Sequence, residues 1–231
     1  MRFLSVIIIS GFLSFSSMGR TYEFIGSYFP EILEAQSNGK VIGLGADLTH
    51  RIAREMDVDI NITLYPLKRA HLIMKRGQAD AIIGPYKSKN REAYLDFSNF
   101  HFYEDEILFY GLKKSQINWK GDFSKLRGLK IGAIRGWSLG EDFNKNSQRL
   151  DIIFLNNIDQ LFTMLKLKRI DIAIAHNREA SRLLSLNENK AKIKSLSPRI
   201  TLNKGYFGFS KKKELKGFKE RFEAAYKKMT K

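Results

Sequence analysis

The stretch Ile60-Asn61-Ile62-Thr63-Leu64, followed by Pro66 to Gly77 and then by Ala81-Ile82-Ile83, spells one complete β-α-β unit. Residues 60–64 alternate in the period of two that a half-buried strand needs. Pro66 pre-sets the backbone of a first helical turn, Ala70, Ile73 and Met74 share one helical face, and Gly77 ends the helix. Ala81 to Ile83 is a short buried run closed by Gly84-Pro85. Strand, crossover helix and strand in this order predict an α/β fold with a mainly parallel sheet covered by helices.

The same rhythm extends in both directions. Upstream, Tyr22 to Gly26 reads as a strand, and Asp47 is placed to cap a helix that carries Leu48, Ile52, Ala53 and Met56 on one face. Downstream it restarts at Lys130 to Ile134. Gly136 leads toward a helix near Leu139 to Phe143, and Ile152 to Leu155 forms the next strand. Asn157 caps a helix bearing Ile158, Leu161, Phe162 and Leu165, and Ile172 to Ala175 is a further buried strand. A last helical stripe runs from Leu215 to Met229, with Lys211-Lys212-Lys213 at its start. Two α/β units of roughly 90–100 residues each are expected. The strand-like segments Ile107 to Leu112 and Tyr206 to Ser210 cross between them, which makes a hinge with a ligand cleft at the junction.

Composition narrows the classes of function. The chain has 231 residues, is 43% apolar and carries a formal net charge of +16. Its basic residues are scattered through helical patterns, so a solvated surface explains them better than a nucleic-acid site. With no cysteine, disulfides, thiolate metal sites, a cysteine nucleophile and a lipid-modified N-terminal cysteine are all excluded. The four histidines, His50, His71, His101 and His176, show no metal-ligand spacing. No cofactor and no metal are expected. Arg2, the apolar run from Phe3 to Phe15 and the small residues Ser16, Ser17 and Gly19 read as a secretory signal over residues 1–19, too short to span a membrane comfortably. Export to the periplasm as a soluble monomer is the expectation.

Several segments together resemble the periplasmic solute-binding proteins of family 3, which serve polar amino-acid ABC transporters. They are Tyr28-Phe29-Pro30, the stretch from Gly39 to Leu48, Gly77 to Asp80, Ser88-Lys89-Asn90-Arg91 with Asp96-Phe97-Ser98, Leu126 to Gly132, Arg135 to Ser138, and Arg169-Ile170-Asp171. Their order matches the family across nearly the whole chain after residue 20. The resemblance implies a two-lobed type II periplasmic binding fold whose first lobe is built from both chain ends. On this reading residues 20–109 begin lobe one, 110–204 form lobe two and 205–231 return to lobe one. The implied partners are a small carboxylate-bearing ligand and a membrane permease or receptor.

Arg91 is the leading binding residue, because a guanidinium grips a carboxylate through two parallel hydrogen bonds and the family's arginine here does so. Otherwise it pairs with Glu92 or Asp96. Ser138 and the backbone at Gly136 are expected to offer donors at a helix N-terminus, or else to cap that helix. Tyr28 and Tyr86 either wall the cleft or simply pack, and Trp137 either stacks on the ligand or fills space. Arg69 is a second candidate cation, against a solvated helix face. Asp80 and Asp171 read as structural turn residues. His176 departs from the family, whose amino-acid binders place an aspartate there for the ligand ammonium; an imidazole cannot replace that carboxylate. The Gly84-Pro85-Tyr86-Lys87 loop is also one residue shorter than the family's. Both departures point toward a small carboxylate or other anionic ligand, for which an α-amino group is not required. Two other functions share the fold: a ligand sensor, and a dehydratase-type enzyme for which Glu141 and His176 are the nearest acid candidates.

Overall fold

The computed structural model describes residues 20–185 and 192–230, so the signal-like segment over residues 1–19 lies outside the described residues. The chain begins with β1 (Tyr22–Gly26), a two-stranded ribbon of β2 (Glu34–Ala35) and β3 (Val41–Ile42), and α1 (Leu44–Glu55). Next come β4 (Ile60–Leu64), α2 (Leu67–Arg76), β5 (Ala81–Tyr86) and the single turn α3 (Lys89–Glu92). The long strand β6 (Leu95–Leu112) leads to β7 (Lys130–Ile134), α4 (Glu141–Asn146), β8 (Asp151–Leu155) and α5 (Ile158–Lys166). Then β9 (Ile172–His176), α6 (Asn177–Leu184), a second long strand β10 (Ile193–Ser210) and α7 (Phe218–Met229) complete the order.

One eight-stranded sheet runs β4-β1-β5-β10-β6-β9-β7-β8. It is parallel at both ends, where β1 joins β4 and β5, and β7 joins β8 and β9. In the middle β10 runs antiparallel to both β5 and β6, and β6 antiparallel to β9. Each long strand has 18 residues, about three times the usual strand length. Both are therefore shared by the two halves of the molecule, and the expected boundaries at 109/110 and 204/205 fall inside them.

Two sets of apolar side chains explain the halves. Phe24, Ile52 and Ile83 pack with Phe207, Phe209, Phe218 and Phe222, so the first and last segments share one core. Farther along, Ile107 and Phe109 face Leu126, Ile131 and Phe143 on one side of the sheet, while Tyr110 faces Leu161, Phe162 and Leu165 on the other. That alternation is the strand period of two. Fully burying one such side chain contributes about 1.5–3 kcal/mol. Among the described residues no helix is long and apolar enough to cross a membrane.

The halves also share a device. The Asp80 carboxylate accepts the Glu23 N–H at 2.8 Å while its own N–H donates to the Glu23 carbonyl at 2.8 Å. Asp171 repeats this with Lys130, at 2.7 and 2.8 Å. Each aspartate thus locks the start of one parallel strand to its neighbour.

Three local expectations change. Asp47 lies inside the first turn of α1 and caps nothing; the helix opens at Gly43, whose φ is 108°. The Leu44 and Gly45 N–H groups donate to the carbonyls of Glu31 and Ile32 instead, which satisfies donors a side-chain cap would serve. The helix after Gly136 begins only at Glu141, with Gly140 before it. The final helix begins at Phe218, and Lys211 to Lys213 sit in the preceding turn.

Gly205 on β10 lies beside Tyr103, where an added Cβ would come within 1.8 Å of the ring. Tyr103 cannot yield easily, because it is buried and its hydroxyl donates to the Gly84 carbonyl at 2.7 Å. Gly205→Ala is expected to destabilise the protein by about 1–3 kcal/mol. A lower urea midpoint at unchanged m-value would show it, and an unaltered midpoint would refute the packing account.

Candidate functional site

A cavity of about 410 Å³ opens between the two halves. From the first half Tyr28, Tyr86 and Arg91 border it; from the second, Gly136, Trp137, Ser138 and His176. Residues near 91 and residues 136–138 therefore do face one shared crevice. The halves touch beside it: a Cβ on Gly136 would lie 3.9 Å from the Lys68 side chain, and the Phe29 ring is 5.4 Å from the His176 ring.

Arg91 stands in α3, with its N–H bonded to the Ser88 carbonyl at 2.9 Å; the Ser88 hydroxyl makes no cap. Its guanidinium donates to the Tyr86 carbonyl at 2.9 Å. Among the described residues it has no carboxylate within ion-pair distance, and Asp96 pairs with Lys219 instead. Burial lowers the Arg91 pKa from its usual value, but a guanidinium remains charged. A half-buried cation with open donors is the result.

The second half brings Ser138 by way of Asn203 on β10, whose side-chain amide donates to the Ser138 carbonyl at 2.9 Å. Ser138 is in an irregular turn and not at a helix N-terminus, because α4 starts three residues later. Trp137 lies edge-on to His176, with ring centres 4.3 Å apart. Arg69 is outside the cavity lining. It is exposed on α2 with its guanidinium 5.2 Å from the Tyr65 ring, because α2 buries its Ala70 and Met74 face instead. Glu141 is likewise not among the lining residues.

His176 is 3% exposed and held among Phe29, Tyr86 and Trp137. Burial, then the nearby Arg178 charge, lower its pKa to about 3, so it is neutral. The Tyr86 hydroxyl donates to Asp105 at 3.1 Å and lies 3.2 Å from His176 Nδ1. A hydroxyl has one proton, which the carboxylate takes, so the ring donates from Nδ1 and keeps Nε2 as an acceptor. Asp105 is also bonded by Arg178 Nε at 3.0 Å, and Arg178 Nη1 reaches Glu31 at 2.5 Å. This chain of polar contacts links a loop of the first half, the crossing strand β6 and the start of α6.

Among the lining residues that the sequence reading did not single out are Glu179, His71 and Ser27. Glu179, in the first turn of α6, borders the cavity and has no hydrogen bond or ion pair among the described residues. Burial raises its pKa to about 7, with Arg182 opposing the rise. His71 on α2 and Ser27 after β1 each present a buried polar atom, Nε2 and Oγ, with no partner among the described residues. Leaving such atoms unpaired costs about 1–3 kcal/mol each. Glu179 sits three residues past His176, so helical spacing from the end of β9 was the available signal.

Glu179 predicts a pH-dependent stability. The free chain ionises it near 4.5, but the folded protein holds the proton to about 7, so its contribution falls as pH rises through that window. Glu179→Gln should therefore stabilise the ligand-free protein increasingly from pH 4.5 to about 7, with a constant gain above that. Urea midpoints across this range test it; a pH-independent difference would contradict it.

Comparison with known proteins follows the same lines. No curated protein matches the chain. Among solved structures, a histidine kinase sensor domain with similarity to periplasmic binding proteins superposes with a TM-score of 0.78 at 18% identity, covering 92% of this chain and 91% of that one. Holo ArgBP from T. maritima gives 0.73 at 18% identity, with 91% of each chain covered. The second substrate-binding domain of a putative amino acid ABC transporter from Streptococcus pneumoniae gives 0.61 at 21%, covering 90% and 93%. At these identities the superpositions establish the fold. The family model for bacterial extracellular solute-binding proteins, family 3, matches residues 24–231, and the chain belongs to that family.

Proposed function

We propose that this protein is a periplasmic receptor whose halves close over a small polar ligand and deliver it to an ABC transporter. The ligand is amino-acid-like: its carboxylate meets Arg91 and its protonated nitrogen meets Glu179. One observation carries this reading. Among the described residues, a guanidinium with no carboxylate in ion-pair contact and a carboxylate with no cation in ion-pair contact border the same cavity from opposite halves. A dipolar guest would neutralise both, whereas a simple organic anion would leave Glu179 facing a like charge. Glu179 thus supports the amino-acid-like alternative over the anion that His176 alone suggested. Aromatic neighbours such as Tyr86 and Trp137 add apolar surface and ring faces that favour a cationic group. No covalent chemistry is assigned to the site; binding is the whole function.

Charge-assisted hydrogen bonds contribute about 1.5–3 kcal/mol, and micromolar affinity needs about 8 kcal/mol. Arg91 is then a large share but not all of it, and the remainder comes from closure and the aromatic walls. A sensor would read the same closure, and one structural neighbour is a histidine kinase sensor domain. Deleting the protein from its cell distinguishes the two, since only a transport component is needed for ligand uptake.

Thermal-shift screening of amino acids against non-amino carboxylates should find stabilisation by the former. Calorimetry on the best ligand should then show Arg91→Ala weakening binding by tenfold or more. Affinity should rise by up to roughly tenfold from about pH 6 to about pH 8, as Glu179 ionises, and Glu179→Gln should abolish that rise. Stabilisation by nitrogen-free carboxylates alone, with affinity falling as pH rises, would overturn the assignment.

A further inference from the structure

His71 carries an inference beyond the two charged poles. It lies on α2, the helix that also buries Ala70 and Met74, and it borders the cavity. Its Nδ1 is 3.0 Å from the Tyr94 hydroxyl, and the two rings stand edge to face at 6.2 Å. The imidazole is thereby held in one orientation. Its other nitrogen, Nε2, is buried and has no partner among the described residues. The Ser27 hydroxyl, at the end of β1, is buried and unpaired on the same cavity. A helix position facing a core would ordinarily take an apolar side chain; a tethered imidazole with one idle nitrogen is a hydrogen-bonding group held in reserve.

We propose that His71 is a specificity-determining residue that donates from Nε2 to an oxygen on the ligand, with Ser27 beside it, at the first-half end of the cavity. The proposal rests on the cavity being the ligand site. The direction of donation follows from the neighbours. The Tyr94 hydroxyl, with no other acceptor among the described residues, donates to Nδ1, which leaves the proton on Nε2. Burial, and then the charges of Arg91 and Lys75, keep the ring neutral by lowering its pKa to about 4. A neutral N–H beside two cations suits an acceptor oxygen. Arg91 engages both oxygens of a carboxylate in the bidentate mode, so His71 and Ser27 are assigned a further acceptor on the guest: a side-chain carbonyl, carboxylate or hydroxyl. The favoured guest is therefore an amino acid with an oxygen-bearing side chain, in preference to an aliphatic one.

The test compares His71→Leu, His71→Gln and Arg91→Ala by calorimetry, with a panel of serine, asparagine, glutamine, aspartate, glutamate, alanine and valine as probes. His71→Leu should weaken the oxygen-bearing ligands tenfold or more, and change alanine and valine less than twofold. His71→Gln, which keeps an N–H donor, should recover most of the lost affinity. In the wild type, the 15N resonance of His71 Nε2 should shift on ligand addition and stay in the protonated-nitrogen range. If His71→Leu weakens all panel members equally or none, while Arg91→Ala abolishes binding, the His71 role is wrong and the ligand site stands. If Arg91→Ala also leaves affinity unchanged, or no panel member binds, the site assignment falls and this inference falls with it.

Discussion

Two antiparallel strands of 18 residues, β6 and β10, hold the middle of the molecule and several walls of the cavity in register. Tyr103 and Asp105 are on β6, and His176 is placed by its pairing with Ile107 on the same strand. Tyr86 is placed opposite Gly205 on β10, and Asn203 of β10 holds the turn that carries Ser138. A slip of one residue in this pairing would send each of these side chains to the opposite face of the sheet. The aromatic packing of Phe109 on one side and Tyr110 on the other makes that slip costly. Because both strands belong to both halves, bending them moves the halves as bodies and preserves each core.

The polar groups divide by what balances them. Glu31, Arg178, Asp105, Tyr86 and His176 are satisfied by one another, and the network bridges the halves without needing a guest. Asp105 is raised in pKa by its burial, and the Arg178 charge and the Tyr86 hydroxyl pull it back. Among the described residues, the Arg91 and Glu179 charges have no ion-pair contact on that cavity, and His71 Nε2 and Ser27 Oγ have no hydrogen-bond partner there. Burying polar groups unpaired is costly, so their joint presence separates a structural network from a set of groups that await something to bind. Gly205 shows how tightly the two are coupled. It leaves room for Tyr103, which borders the cavity and anchors the Gly84 carbonyl.

Much of this was legible in the chain. Local patterns located the strands 22–26, 60–64 and 130–134 and the Asn157 cap, whose side chain accepts the Gln160 N–H at 2.8 Å. Motif order pointed to Arg91 and to the segment 136–138. Misplaced features were those decided by distant backbone. Asp47 looked like a cap, but carbonyls of residues 31 and 32 already served the helix. Arg69 looked like a cleft cation, but the rotation of α2 presents His71 to the cavity instead.

By itself the sequence determined the alternation of strands and helices, the two α/β units, the crossing segments and the family, because these depend on periodicity, turn chemistry and motif order along the chain. Tertiary structure alone decided that Glu179 and Arg91 share a cavity, that the Tyr86 hydroxyl bonded to Asp105 also meets His176 Nδ1, and that His71 keeps an idle nitrogen. Charge and hydrogen-bond balance depend on which groups meet across separations of 19 to 147 positions of chain, and no local pattern encodes that meeting.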